Sequence, residues 1–129
     1  MSRAYTVATI ALALDVDTKW VDNVLSHFVI SGVKQSRQGI ARRISAEGVL
    51  ELALVRQLTE HLGIPMELAV ARSKVLAETG EYRLGGAISL HLDRAREWGE
   101  LESRLEFAVE AAPVPRRGRP PLNAKRGAD

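Results

Sequence analysis

The run Arg116-Arg117-Gly118-Arg119-Pro120-Pro121 is the part of this 129-residue chain whose chemistry is easiest to state. Glycine has no side chain and proline holds the backbone outside the helical region, so an Arg-Gly-Arg-Pro core is narrow and extended. Such a strip can lie on the floor of a minor groove where A·T tracts are narrow and strongly negative. Its arginines then insert along the floor or pair with phosphates. A second set of polar side chains recurs at helical spacing. With Val21, Val24, Leu25 and Phe28 turned inward, the opposite face presents Thr18, Lys19, Asp22, Asn23, Ser26 and His27. In a major groove, Asn23 can bond bidentately to adenine, and Lys19 can reach a guanine edge or a phosphate. Asp22 fits less well, because it repels phosphate unless it accepts from a cytosine amino group. Trp20 reads as a core or half-buried residue rather than a base-stacking one. The third set is Lys34, Arg37, Gln38, Arg42 and Arg43, suited to backbone or minor-groove contacts or else to a solvated loop.

The charge distribution supports these sets better than the net charge does. The chain carries only +2 overall, yet the segment from Pro113 onward holds Arg116, Arg117, Arg119, Lys125 and Arg126 against Asp129 alone. That segment is +4 and the remainder −2. Within the remainder, no acid falls between Asp22 and Glu47, where four of the basic residues lie. Positive charge clustered in this way suits a polyphosphate partner. An apolar content of 46% is ordinary for a globular chain, and the absence of cysteine removes disulfides, thiolate zinc sites and cysteine nucleophiles. No apolar run approaches the roughly 20 residues that span a bilayer, and the first residues lack a signal-peptide core. A cytoplasmic, nucleoid-associated protein is expected.

The elements that must position these residues follow from caps and periods. Residues 6–14 form a first short helix capped by Thr6, with Asp15 in a tight turn. Asp17 or Thr18 caps a second helix to about Phe28. Two short helices joined by about three residues fit a helix-turn-helix, the alternative being an ordinary helical hairpin in a bundle. Val29-Ile30 and Ile40 to Ile44 read as short strands around a polar loop containing Gly32 and Gly39. Ser45 begins a strong helix that Gly63 closes, and Pro65 sits in the first turn of another that ends at Gly80. Residues 82–92, with Gly85-Gly86 and alternating Ile88, Leu90 and Leu92, form a small hairpin or a single strand. A last helix over about 93–111 places Trp98, Leu101, Leu105, Ala108 and Ala112 in a seam about two heptads long. That seam serves either a homodimer or the chain's own core. Beyond Pro113 the composition is that of a disordered segment.

Arg117, Gly118, Arg119 and Pro120 resemble the core of an AT-hook. Residues 5–60 resemble the MerR-like winged helix-turn-helix. The likeness rests on Tyr5-Thr6-Val7, Ile10-Ala11, the turn at Asp15-Val16, Thr18, Gly32, Gly39, Arg42-Arg43-Ile44-Ser45 and a leucine-rich helix. The stretch from Gly39 to Arg43 also resembles the wing of excisionase-like regulators. Where MerR proteins usually carry an Arg-Tyr-Tyr cluster, this chain has Lys19-Trp20-Val21-Asp22-Asn23, so the family's base readout does not transfer. The resemblance implies a mainly α fold: a winged helix-turn-helix with a small β-ribbon wing, an additional C-terminal helix and a disordered basic tail. The corresponding units are residues 1–80, 81–112 and 113–129. Residues 64–111 are short for the effector domain that such relatives often carry, so no small-molecule effector is expected.

Catalysis has little support. His27, His61 and His91 lie on different elements without acidic neighbours at metal-ligand spacing, and Gly85-Gly86 lacks the pattern of a phosphate-binding loop. Glu97, Glu100, Glu102 and Glu106 read as a solvated helix face. No cofactor and no metal are expected. The resulting expectation is a non-enzymatic, sequence-specific binder of double-stranded DNA, a homodimeric bacterial transcription regulator. Its candidate contacts are Thr18, Lys19, Asn23, Ser26, His27, Lys34, Arg37, Gln38, Arg42, Arg43, Arg116, Arg117, Gly118, Arg119 and Pro120. The alternative is an antitoxin-like or adaptor module that binds a protein and uses the tail for nonspecific nucleic-acid affinity.

Overall fold

Thr6 starts the helical part of the fold. Its hydroxyl accepts from the Thr9 N–H at 3.2 Å, pairing a donor that the first helical turn leaves open, and α1 follows over Val7–Leu14. The computed structural model describes residues 3–34 and 42–112 of the chain. At the end of α1, Asp15 takes the left-handed conformation with φ 58°, and the Asp15 and Val16 N–H groups return to the Leu12 and Ala11 carbonyls. This double closure stops the helix sharply and turns the chain. Asp17 then precedes α2, Thr18–His27, as the turn residues predict.

Three short strands flank these helices: β1 Ala4–Thr6, β2 Val33–Lys34 and β3 Arg43–Ser45. They form an antiparallel sheet in the order β1-β3-β2, with Ile44 of β3 paired to both Tyr5 and Val33. The sheet differs from the sequence expectation in two places. Strand β1 carries no periodic signal because it is three residues long. Val29-Ile30 is not a strand, because its backbone partners are side chains: the Val29 carbonyl accepts from Lys74 Nζ at 2.6 Å, and the neighbouring Ser31 N–H donates to Glu51 at 3.1 Å. The strand begins only after Gly32, whose φ of +73° reverses the chain. The Ile40 end of the second expected strand lies outside the described residues, and pairing is seen only from Arg43.

Helix α3, Ala46–Leu62, is the centre of the molecule. Val49, Leu52, Ala53, Leu54, Val55 and Leu58 are buried on several of its faces, a wider apolar surface than a single amphipathic stripe. Ser45 stands at its N-cap, but its side chain makes no capping bond. Gly48 lets the preceding turn close on the helix, since a Cβ there would collide with the Ser31 carbonyl oxygen and the Ile44 side chain. Gly48→Ala is therefore expected to lower the unfolding free energy in urea by about 2–3 kcal/mol through overpacking. Gly99→Ala, on the last helix with open space around it, is expected to raise that energy by about 0.5–1 kcal/mol.

Gly63 closes α3, and α4, Met66–Thr79, packs back against it. Pro65 occupies the N-cap of α4 rather than its first turn. A hairpin follows, β4 Glu81–Arg83 and β5 Ser89–His91, with Tyr82 opposite Leu90. Both side chains pack on the core, and the Arg72 guanidinium sits 5.2 Å from the Tyr82 ring centroid. The Asp93 carboxylate caps α5, Arg94–Ala111, by accepting from the Arg96 N–H at 3.1 Å.

The described residues thus form a mainly helical fold of five helices with a small antiparallel sheet and a hairpin. The seam on α5 has its place within the chain. Leu101, Leu105 and Ala108 are buried against α1 and the core, and Trp98 is half-buried. These residues are not available to a second copy; the large apolar side chain that α5 does expose is Phe107. Glu97 departs from the solvated face expected for it, being half-buried and accepting from Gln57 at 2.9 Å. Among the described residues, no helix is long and apolar enough to cross a membrane.

Candidate nucleic-acid interface

The inward face of α2 is set by Val21 and Val24, which are buried, with Leu25, Phe28 and Trp20 partly covered. Helical geometry then sends Thr18, Lys19, Asp22, Asn23, Ser26 and His27 outward, and all six are exposed. His27 lies over the last turn, its Nδ1 2.9 Å from the Asn23 carbonyl oxygen. The stripe carries one carboxylate, Asp22, and the structure supplies its partner from another element. Arg42, just before β3, approaches Asp22 at 3.5 Å and the Ser26 hydroxyl at 3.4 Å. With Asp22 more than half exposed, the ion pair contributes little to stability, at most about 1 kcal/mol. Its effect is on the local field, since it offsets the one anion on a face otherwise neutral or positive.

The sheet adds a second arrangement that folding alone disfavours. Lys34 of β2 and Arg43 of β3 are directly paired across the strands, so their side chains leave the sheet on the same side. Both are exposed. Like charges directly opposite destabilise a strand pair, so the position favours an external anion. Arg42 precedes Arg43 in the chain and touches α2, so the segment entering β3 runs past the polar helix face. Thr18, Lys19, Asn23, Ser26, His27, Lys34 and Arg43 are exposed groups of α2, β2 and β3, and Arg42 is half-buried just before β3. Arg37 and Gln38, and likewise Arg116, Arg117, Gly118, Arg119 and Pro120, lie outside the described residues.

A buried ionic cluster that the sequence reading did not single out holds this arrangement in place. Glu51, 3% exposed in the middle of α3, accepts from the Ser31 N–H at 3.1 Å and from Lys74 Nζ at 3.2 Å. Lys74 in turn reaches the Val29 carbonyl. The turn that leaves α2 is thereby tied to both α3 and α4. The available signal was a lone glutamate within the apolar run Val49-Leu50-Glu51-Leu52-Ala53. The Asp22–Arg42 pair had no signal, since twenty residues separate its members along the chain. Compared with known proteins, the chain matches no family model, no curated protein and no solved structure.

Proposed function

We propose that this chain is a sequence-specific binder of double-stranded DNA, built as a winged helix-turn-helix and acting as a transcription regulator. In this reading α2 enters the major groove, β2 and β3 belong to the wing, and the Arg-Gly-Arg-Pro segment takes an adjacent A·T-rich minor groove. The observation that carries it is the exposed polar face of α2, whose single carboxylate is offset by Arg42; the exposed cross-strand Lys34–Arg43 pair supports it. Asn23 reads adenine, Lys19 reaches a base edge or phosphate, and Thr18, Ser26 and His27 offer further hydrogen bonds at the groove edges. Lys34, Arg42 and Arg43 position the duplex through its phosphates. Two linked weak sites, the domain and the tail segment, raise affinity through effective concentration.

The test is the salt dependence of binding to a preferred duplex in the presence of competitor DNA. Each phosphate contact contributes about −0.9 to the slope of log K against log salt. Lys34→Gln and Arg43→Gln should each flatten the slope by about 1 while leaving sequence preference unchanged. Arg42→Gln should weaken binding more than either, because it also uncovers Asp22. Asp22→Asn in the Arg42→Gln background should restore part of that loss. A weak background with no preference for any duplex at physiological salt would instead fit an adaptor.

A further inference from the structure

Where α1 turns into α2, the surface opens into a groove of about 780 Å³ bounded by Leu12, Asp15, Asp17, Trp20, Glu60 and Ala111. Its lining holds three carboxylates and no basic side chain. Asp15 and Asp17 have no side-chain partner among the described residues. Helix α1 also ends here, with no basic residue in its last turn, so the negative pole of its dipole adds to the carboxylates. Glu60 pairs with Arg56 at 3.4 Å, so the carboxylates of the groove that lack a cation are Asp15 and Asp17. Its apolar lining includes Leu12, 45% exposed, and the half-buried Trp20.

Ala111, the last residue of α5, lies on the rim of this groove. The next residues are Pro113-Val114-Pro115, then Arg116, Arg117 and Arg119. Prolines in an extended left-handed helix pack on aromatic-lined grooves at low entropic cost. At about 3.1 Å per residue, the first arginines come within about 15–25 Å of Ala111. We propose that residues 113–119 fold back in cis into this groove, the prolines against Leu12 and Trp20 and the arginines against Asp15 and Asp17. Thr18 lines the same groove, so a docked tail and a bound duplex compete for this end of α2. The contact forms without DNA and stands or falls independently of the DNA-binding reading.

The chain has no cysteine, so Ala124→Cys in the full-length protein gives one site for a nitroxide label. At low salt, the expected result is selective paramagnetic broadening of the Asp15, Asp17 and Thr18 amides and the Trp20 indole N–H. That broadening should fall by more than half in salt of about 0.5 M, where the Debye length shrinks to a few ångströms. It should fall likewise when Arg116→Gln, Arg117→Gln and Arg119→Gln are combined, a change that leaves the groove untouched, and when Asp15→Asn and Asp17→Asn are combined. Equal broadening in the wild type and the arginine variant would overturn the proposal. So would broadening that appears only when labelled chain is mixed with unlabelled, isotope-enriched chain, because the tail would then belong to a second copy.

Discussion

Glu51→Ala should lower the unfolding free energy by about 3 kcal/mol, the low end of what breaking a buried ion pair costs. The Glu51 carboxylate serves two donors, the Ser31 N–H and Lys74 Nζ. Its removal leaves the half-buried Ser31 N–H without this acceptor, a loss near the low end of the roughly 1–3 kcal/mol that a buried donor costs. The lysine adds less than a fully buried partner would, because its side chain is 34% exposed and can turn toward water. Glu51→Gln keeps an acceptor for Ser31 and should cost roughly half as much. Denaturant titration reads both changes, and a loss near zero for Glu51→Ala would show that the turn after α2 is held by packing alone. The effect also reaches the interface: Ser31 and Val29 connect α2 to β2, so folded Glu51→Ala protein should bind DNA more weakly through a poorly positioned sheet.

Asn23→Ala should weaken binding to the preferred duplex by about 10- to 100-fold, the range of one bidentate base contact. On the proposed adenine contact, the loss should be confined to sequences carrying that adenine, leaving nonspecific affinity and its salt slope almost unchanged. Lys19→Ala separates two roles for its amine. A guanine contact would relax preference at one base pair, whereas a phosphate contact would lower affinity uniformly and flatten the salt slope by about 1. Folding should be little affected by either change, because both side chains are exposed and neither supports the core. Binding measured across a panel of single-base variants of the duplex checks these outcomes. Equal losses on every duplex for Asn23→Ala would place that residue away from the bases.

The helices were legible in the sequence because their ends are written in local chemistry. Thr6 caps α1, Asp15 and Gly63 take left-handed conformations, Gly80 ends α4 and Asp93 caps α5. The outward face of α2 was legible for the same reason, since a period of 3.6 fixes which side chains oppose Val21 and Val24. What depended on distant partners was not. The sheet consists of strands of two or three residues, too short for alternation to show, and its register decides that Lys34 faces Arg43. The apolar stripe on α5 is compatible in sequence with a dimer seam or a core, and only the position of α1 settles where Leu101 and Leu105 go. Glu51 shows the same limit: a charge within an apolar run marks a buried polar contact without naming Lys74 and Ser31 as its partners.

Selection from a random pool of duplexes, at physiological salt and with the full-length chain, tests the DNA-binding reading most directly. The wild type should enrich one core sequence flanked by an A·T-rich stretch. With Arg116→Gln, Arg117→Gln and Arg119→Gln combined, the core should persist and the flank preference should disappear; with Asn23→Ala, the core should lose its preference at one base pair. A wild-type pool that emerges no different from the input would contradict sequence-specific DNA binding by this chain.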